Sequence, residues 1–393
     1  MGIYDQLKIL EFGAGAATPL ASRYFAEQGA RVIRVESAKR PDFLRTLNLT
    51  PQNPHGLDGA PMFILLNPQK ESVAIDLTKP EGPALVKKLV AWADVLTENF
   101  SPGVMAKFGL DYPSLSQIKP DLIMISGCLF GQTGPERSYP GFGGQSSAIG
   151  GFNHLTGWPD RESLGPFGTI SDSLAARYVG VAVAAALLER KRTGKGRFID
   201  MSQIEACIYS LSEIVVRQSA NGESVERAGN RDQTGAPHGV YPCKGDDRFI
   251  AISIFSDAEW QTLREISGIT TSSNRHRHQD EIDAALAKWT AQHDANELMA
   301  KLQNAGIEAG MVAKFEDLLT DPQLKHRQHF APIKHDHYGE MQFEYSGIKF
   351  SDSPRKIEKP GPHLGQHTDK VLKEILGLDE QQLASLRSFD VLS

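Results

Sequence analysis

The sequence predicts an α/β protein whose large domain is a doubly wound parallel sheet, with a smaller α+β domain set into the chain. Three observations carry this. Short apolar, strand-like runs alternate with helix-like stretches through residues 8–126, the pattern of successive βαβ units. One long apolar stretch, 174–189, reads as a core helix. Near residue 225 the texture changes, and one strand-like run is followed by three amphipathic helical stretches.

The elements follow in order. The run KILEF at 8–12 reads as a strand and leads into a Gly13-Ala14-Gly15 turn. Residues 19–28 read as a helix stopped by Gly29. RVIRV at 31–35 and SVAID at 72–76 are the next strands, and 80–93 is a helix opened by Pro80. DVLT at 94–97 and LIMIS at 122–126 complete the strand series. Two stretches lack periodicity, a polar, proline-rich one at 37–62 and a glycine-dense one at 127–171. Both suit surface loops beside a ligand. The helix at 174–189 closes on Arg190, Lys191, Arg192, Thr193 and Gly194, cations and then a glycine stop. A helix is read at 201–221, a strand at 249–253, and helices at 257–268, 280–293 and 295–305. The tail from residue 325 is irregular, with a short strand near 341–345 and helices at 367–376 and 379–389. The expected division is a large domain at 1–220, a small one at 225–325, and a return to the large domain over 326–393.

With 393 residues the chain is too long for one small core. A net charge of −6 argues against nucleic-acid binding, which needs a basic face. Cys128, Cys207 and Cys243 have no paired or metal-ligand spacing, which fits a reducing compartment and buried thiols. The longest apolar run, around 179–188, is about half of the roughly 20 residues a membrane span needs. No leader is read at the start, where Asp5 and Lys8 interrupt. A cytoplasmic enzyme without membrane partner is expected.

Asp172 is the leading candidate for chemistry. It stands at the mouth of the long apolar helix, where unpaired amide donors and the positive dipole end favour a carboxylate's charge. That is the state a carboxylate nucleophile needs. An aspartate there also serves as an N-cap, which local sequence by itself favours. Gly13 and Gly15 after a strand invite a dinucleotide reading, but Thr18 stands where a third glycine belongs, and Glu36 alone is a partial match. His276, His278, His326, His329, His335 and His337 lie in polar stretches without carboxylate or helical spacing, so solvated surface is expected rather than metal. No nucleophile-elbow serine motif occurs.

Taken together, KILEF (8–12), GARVIRVE (29–36), LNPQKES (66–72), TENFSPG (97–103), FGQTGP (130–135), LTG (155–157), Asp172, LLERKRTGKG (187–196) and LGQHT (364–368) resemble the class III CoA-transferase family, also called CaiB/BaiF, along the whole chain. The resemblance implies a covalent mechanism at Asp172. The carboxylate attacks an acyl-CoA, a mixed anhydride and then an aspartyl-CoA thioester form, and the acceptor acid takes up the coenzyme. It implies acyl-CoA and a small carboxylic acid as substrates, no permanently bound cofactor, no metal, and an interlocked homodimer. It implies that Asn99, Phe100, Leu66, Lys70 and Gly15 lie at coenzyme A, with Phe142 after the FGQTGP element. The family often has a basic residue where this chain has Ser37, so Lys39 or Arg40 takes that phosphate contact. The family also contains α-methylacyl-CoA racemases, whose histidine and glutamate bases align with Phe142 and with a position near Ser256. Both bases are absent, which favours the transferase. A CoA-binding protein without transferase activity is the alternative outside enzymes. Where many transferases carry a glycine run, this chain has Gly235 to Tyr241, with His238 and Gly239 placed to meet the acceptor. A loop histidine packed beside Pro237 stands level with that reading.

Overall fold

The computed structural model describes residues 1–47, 55–166, 170–270 and 274–392. Parts of both aperiodic stretches, 48–54 and 167–169 with Gly168, therefore lie outside the described residues. The chain divides into two compact units, one of Met1–Phe152, Gly165–Glu223 and Gln328–Ser393, the other of Asn153–Leu164 and Ser224–Arg327.

The first unit is built on six strands: β1 Lys8–Glu11, β2 Arg31–Glu36, β3 Glu71–Ala74, β4 Val95–Glu98, β5 Ile123–Cys128 and β6 Arg197–Ser202. They pair in parallel in the order β3-β2-β1-β4-β5-β6, with Leu10 opposite Ile33 and Leu96. Both faces of a parallel sheet are covered, so its strands read as continuous apolar runs. Along β1, Ile9 joins Phe25, Val95, Val179 and Val183 on one face, while Leu10 joins Leu89, Leu96, Met124 and Leu372 on the other. The order reverses between β1 and β4. Ligands of such sheets bind in the crevice beyond the carboxyl ends of the strands at that reversal.

The structure differs from the sequence reading at β6. The helix expected over 201–221 is a strand up to Ser202, then helices Gln203–Ser210 and Ser212–Asn221. Ser202 sets the start, its Oγ accepting from Glu205 N at 3.3 Å. β6 is an edge strand with most residues outside the core, so it lacks the apolar run that marked the other strands.

The helix Ile170–Thr193 packs Ala176, Val179, Val183 and Ala186 into one core face of the sheet. It is longer than its strongest apolar run suggested, and among the described helices it alone is long and apolar enough to cross a membrane by length and composition. Its buried stripe marks a core helix with one face left outside. The C-terminal return adds an antiparallel hairpin and the helices Thr368–Leu376 and Glu380–Ser388.

In the second unit β7 His238–Pro242, β8 Phe249–Ser253 and β9 Glu308–Met311 form an antiparallel sheet. Helices Asp257–Ser267, Gln279–Thr290 and Ala295–Asn304 cover a core of Ile250, Ile252, Trp260, Leu263, Leu286 and Leu298. The hairpin of the first unit is β10 Phe330–His335 and β11 Gly339–Glu344. β7, β9 and β10 were not legible as strands. β9 is short, and His238, Pro242 and Pro332 interrupt the apolar pattern of β7 and β10.

Candidate active site

The loop after β1 and the loop after β4 meet at the strand-order reversal. Asn99 Oδ1 accepts from Ala14 N at 2.9 Å, and Asn99 Nδ2 donates to Ala14 O at 2.7 Å. This two-way bond locks the Gly13–Gly15 turn onto β4. Gly13 and Gly15 have φ of 134° and 76°. A Cβ at Gly13 would stand 2.1 Å from Asn99 Oδ1, and one at Gly15 would stand 2.8 Å from the Phe43 ring. Only glycine meets both demands. Gly15 N donates to Asp42 Oδ1 at 3.0 Å, and Asp42 Oδ1 also accepts from Leu44 N at 2.9 Å, capping the short helix Phe43–Thr46. The Phe43 ring sits 5.0 Å from that of Phe142, and Leu66 packs into the same apolar cluster as Phe43.

An ion network under this loop holds it in place. Arg34 bonds Glu11, Asp42 and, at 2.8 Å, the Gly13 carbonyl. Lys70 Nζ donates to Glu11 Oε2 at 2.8 Å, Pro19 O at 2.8 Å and Asn67 Oδ1 at 2.9 Å. Burial opposes the Glu11 charge, but Lys70 and Arg34 outweigh it and hold the carboxyl below its usual range. Burial pushes the Lys70 ammonium down to about 8, with Arg34 adding to the effect against the pull of Glu11. Lys70, expected at coenzyme A, is bonded within the protein. Its three ammonium hydrogens are engaged inside the protein, and it acts on the site through Glu11 and Arg34.

Asp172 lies inside the first turn of the helix Ile170–Thr193 and is buried. Ser171 Oγ donates to Gly143 O at 2.8 Å, tying this turn to the helix Gly143–Ile149 directly after Phe142. Gln203 Nε2 donates to Asp172 Oδ1 at 3.2 Å. Sequence reasoning missed Gln203, because a single glutamine after an unrecognised strand carries no motif. Cys207 lies one helical turn beyond Gln203, and burial first, then the Asp172 charge, pushes its thiol up.

The other expected residues are less tightly bound to this centre. Lys39 Nζ pairs with Asp76 Oδ2 at 2.9 Å, with the lysine half exposed, and Arg40 is exposed. Phe100 packs against the main core, and its N donates to Glu98 Oε2 at 2.8 Å. Glu98 lines a cavity of about 300 Å³ with Met105, Tyr112, Met124, Gln132 and Phe198. Burial pushes Glu98 up to about 7 against hydrogen bonds from Ser126 and Phe100 N.

In the second unit His238 is the first residue of β7, paired opposite Ser253, and not a loop residue. Its Nδ1 lies 2.5 Å from Asn230 O, so the proton sits on Nδ1 and the neutral ring presents an acceptor at Nε2. Gly239 follows it, opposite Ile252. Ser256 caps the helix Asp257–Ser267 in a reciprocal box with Glu259.

Among the described residues no group of three or more His, Cys, Asp or Glu side chains could hold a metal. The surface expectation for histidines fails at His335. It is buried, its Nδ1 accepts from His337 N at 3.1 Å, and its ring neighbours those of His337 and His363. His55 stacks on His337 at 3.9 Å.

A family model described as CoA-transferase family III matches residues 4–368. The chain is 33% identical over 398 residues to succinyl-CoA--D-citramalate CoA-transferase of Chloroflexus aurantiacus, covering 99% of this chain and 98% of that one. It is 30% identical over 382 residues to succinate--glutarate CoA-transferase of Agrobacterium fabrum, covering 94% of each. A solved CaiB/BaiF family protein from Brucella suis superposes with a TM-score of 0.87 at 31% identity, covering 94% of this chain and 98% of that one.

Proposed function

The chain belongs to CoA-transferase family III, and on that premise we propose that it moves coenzyme A between carboxylic acids through covalent intermediates on Asp172. It is a CoA-transferase, with CoA thioesters and carboxylates as its substrates. The observation that carries the mechanism is a buried carboxylate in a helix first turn, with the Gln203 amide donating to one of its oxygens. The helix amides favour the carboxylate's charge, and the ionised form is the one that attacks.

Asp172 attacks the thioester carbonyl of the donor, expelling CoA thiolate and giving a mixed anhydride. The thiolate returns to the aspartyl carbon and displaces the donor as its free acid. The acceptor carboxylate then displaces the thiolate, and the thiolate takes the acceptor's acyl group, restoring Asp172. We propose succinyl-CoA as donor and a short dicarboxylate as acceptor, since two relatives are named for CoA transfer with succinyl-CoA and D-citramalate and with succinate and glutarate. Coenzyme A is proposed to run over Gly15, Leu66, Asn99, Phe100 and Phe142, with Arg40 or Lys39 at a phosphate. The rigid Gly13–Gly15 turn at the strand-order reversal supports this. His238 and Gly239 are proposed to meet the acceptor acid. With Nδ1 given to Asn230, His238 donates from Nε2 only as the imidazolium.

The homodimer is proposed on the outer face of the long helix, where Val181 is 69% and Leu188 68% exposed. Such a face, with exposed Tyr209 packed against Tyr178 of the same helix, fits a second copy of the chain. A cytoplasmic location is proposed on the free, buried cysteines.

The test is hydroxylamine trapping. Wild-type protein incubated with succinyl-CoA should yield a hydroxamate at Asp172 by peptide mass spectrometry, and Asp172→Ala should transfer nothing. A variant that keeps wild-type turnover removes Asp172 from the mechanism.

A further inference from the structure

The contact between Gln203 and Asp172 does more than place a carboxylate. Gln203 Nε2 is 3.2 Å from Asp172 Oδ1, and the two residues are 7% and 9% exposed. A carboxylate oxygen only accepts, so the amide must present its NH2 there. Its position is rigidly set. Gln203 is the first residue after β6 and opens the helix Gln203–Ser210, whose start Ser202 caps through Glu205 N.

We propose that Gln203 is the oxyanion donor for the steps in which the enzyme's own carbonyl carbon, Asp172 Cγ, is attacked. This rests on Asp172 being the nucleophile. In the first step Oδ2, the oxygen Gln203 does not hold, bonds the donor's acyl carbon, and the C–S bond breaks with its electron pair leaving on sulfur. Cγ now carries a carbonyl to Oδ1 and a single bond to the bridging Oδ2. The thiolate sulfur then bonds Cγ, and the Cγ–Oδ1 π pair moves onto Oδ1 beside the Gln203 amide. When that pair returns, the Cγ–Oδ2 bond breaks and the donor acid departs as a carboxylate with Oδ2. The acceptor carboxylate next adds to the same Cγ, charging Oδ1 again, and the thiolate leaves with its pair. In the last step the thiolate attacks the acceptor's acyl carbon, and Asp172 leaves as a carboxylate.

Two of the four tetrahedral species therefore carry their full charge on Oδ1. In the resting carboxylate that charge is shared between two oxygens. A donor fixed at Oδ1 binds the tetrahedral species more strongly than the ground state, which is the condition for accelerating a step. Gln203 has no such role when the substrate's own acyl carbon is attacked. Removing the amide should spare formation of the anhydride and block its conversion to the aspartyl-CoA thioester. Water then becomes the competing nucleophile.

The experiment uses full-length wild type, Gln203→Met, which keeps the volume and loses the donor, and Gln203→Asn, which keeps an amide on a shorter arm. The probes are succinyl-CoA as donor and glutarate as acceptor. In Gln203→Met, transfer should fall about 100-fold or more. The single-turnover release of CoA thiol should persist, succinyl-CoA hydrolysis should rise relative to transfer, and the Asp172–CoA adduct seen in wild type should vanish from the mass spectrum. Gln203→Asn should show the same loss of adduct. The inference is overturned if either variant forms the adduct at the wild-type rate. It is also overturned if both lose the initial CoA release as completely as transfer, which is general damage to the pocket. Failure of the underlying reading looks different: wild type itself would show no adduct at Asp172.

Discussion

At the residue scale, the Gly13–Gly15 turn is the part of the site least tolerant of change. Gly15→Ala must place a Cβ at a φ of 76° and against Phe43. We expect the KM for acyl-CoA to rise at least several-fold in steady-state assays, with the acceptor KM little changed. Asn99→Ala should act in the same direction, because it unties Ala14 on both its N–H and its carbonyl. Glu98 offers a pH test. Its folded carboxyl titrates at about 7, above the usual 4.5, because burial disfavours the charge. The folded state therefore holds a proton that the unfolded state has released between those values, and stability falls as pH rises through that window. Glu98→Gln removes the cost. Urea midpoints should show the variant ahead of wild type by about 1–3 kcal/mol at pH 8, with the gap closing toward pH 4.5. A gap equal at both pH values would mean that the buried charge does not set it.

At the element scale, two clusters tie distant segments together. Lys70 and Arg34 neutralise Glu11 between β1, β2 and β3, where all three side chains are buried. Lys70→Met strips the buried Glu11 carboxylate of one of these two cations and leaves it Arg34, and chemical denaturation should record a loss of about 1–3 kcal/mol. The β10–β11 hairpin carries the second cluster. Burial holds the His335 imidazole below its usual range, and His337, His363 and His55 add to this while Asp336 opposes it. An imidazole with a depressed folded titration resists protonation, so stability is lost as pH falls below 6.5. His335→Asn should keep an acceptor for His337 N and flatten the fall in Tm between pH 7 and pH 5. Differential scanning calorimetry of the two proteins checks this. An unchanged slope assigns the acid sensitivity to other groups.

At the scale of the whole molecule, the unburied face of the helix Ile170–Thr193 is the main feature a single chain leaves unexplained. Its inner stripe is core, while Val181 and Leu188 point outward. A double change, Val181→Glu with Leu188→Glu, should shift the mass measured by light scattering from dimer to monomer. Wild type running as a monomer at micromolar concentration would remove the dimer. The chemistry also predicts a negative result. The family resemblance aligns the racemase bases with Phe142 and with a position near Ser256, and Ser256 is engaged as a helix cap. No deuterium should enter the α-carbon of an acyl-CoA incubated with the enzyme in D₂O, as followed by NMR.

Strands buried on both faces declare themselves in sequence, because consecutive positions are apolar and not only alternate ones. That is why β1 to β5 and the long helix were legible, and why a parallel α/β sheet followed. The ordered motifs, from KILEF to LGQHT, identified the family. β6 and β7 were not legible, because edge and short strands bury too few side chains to write a pattern. The site's partners were hidden for a related reason. Gln203 meets Asp172 from 31 residues away, and Asn99 meets Ala14 from 85. Lys70 was expected at coenzyme A, and nothing in the sequence pointed to its enclosure with Glu11. Sequence determines which groups are available and which segments must bury their faces. Only the packed sheet decides which polar groups are sealed together, and that sealing divides the residues that hold the site from those left to act.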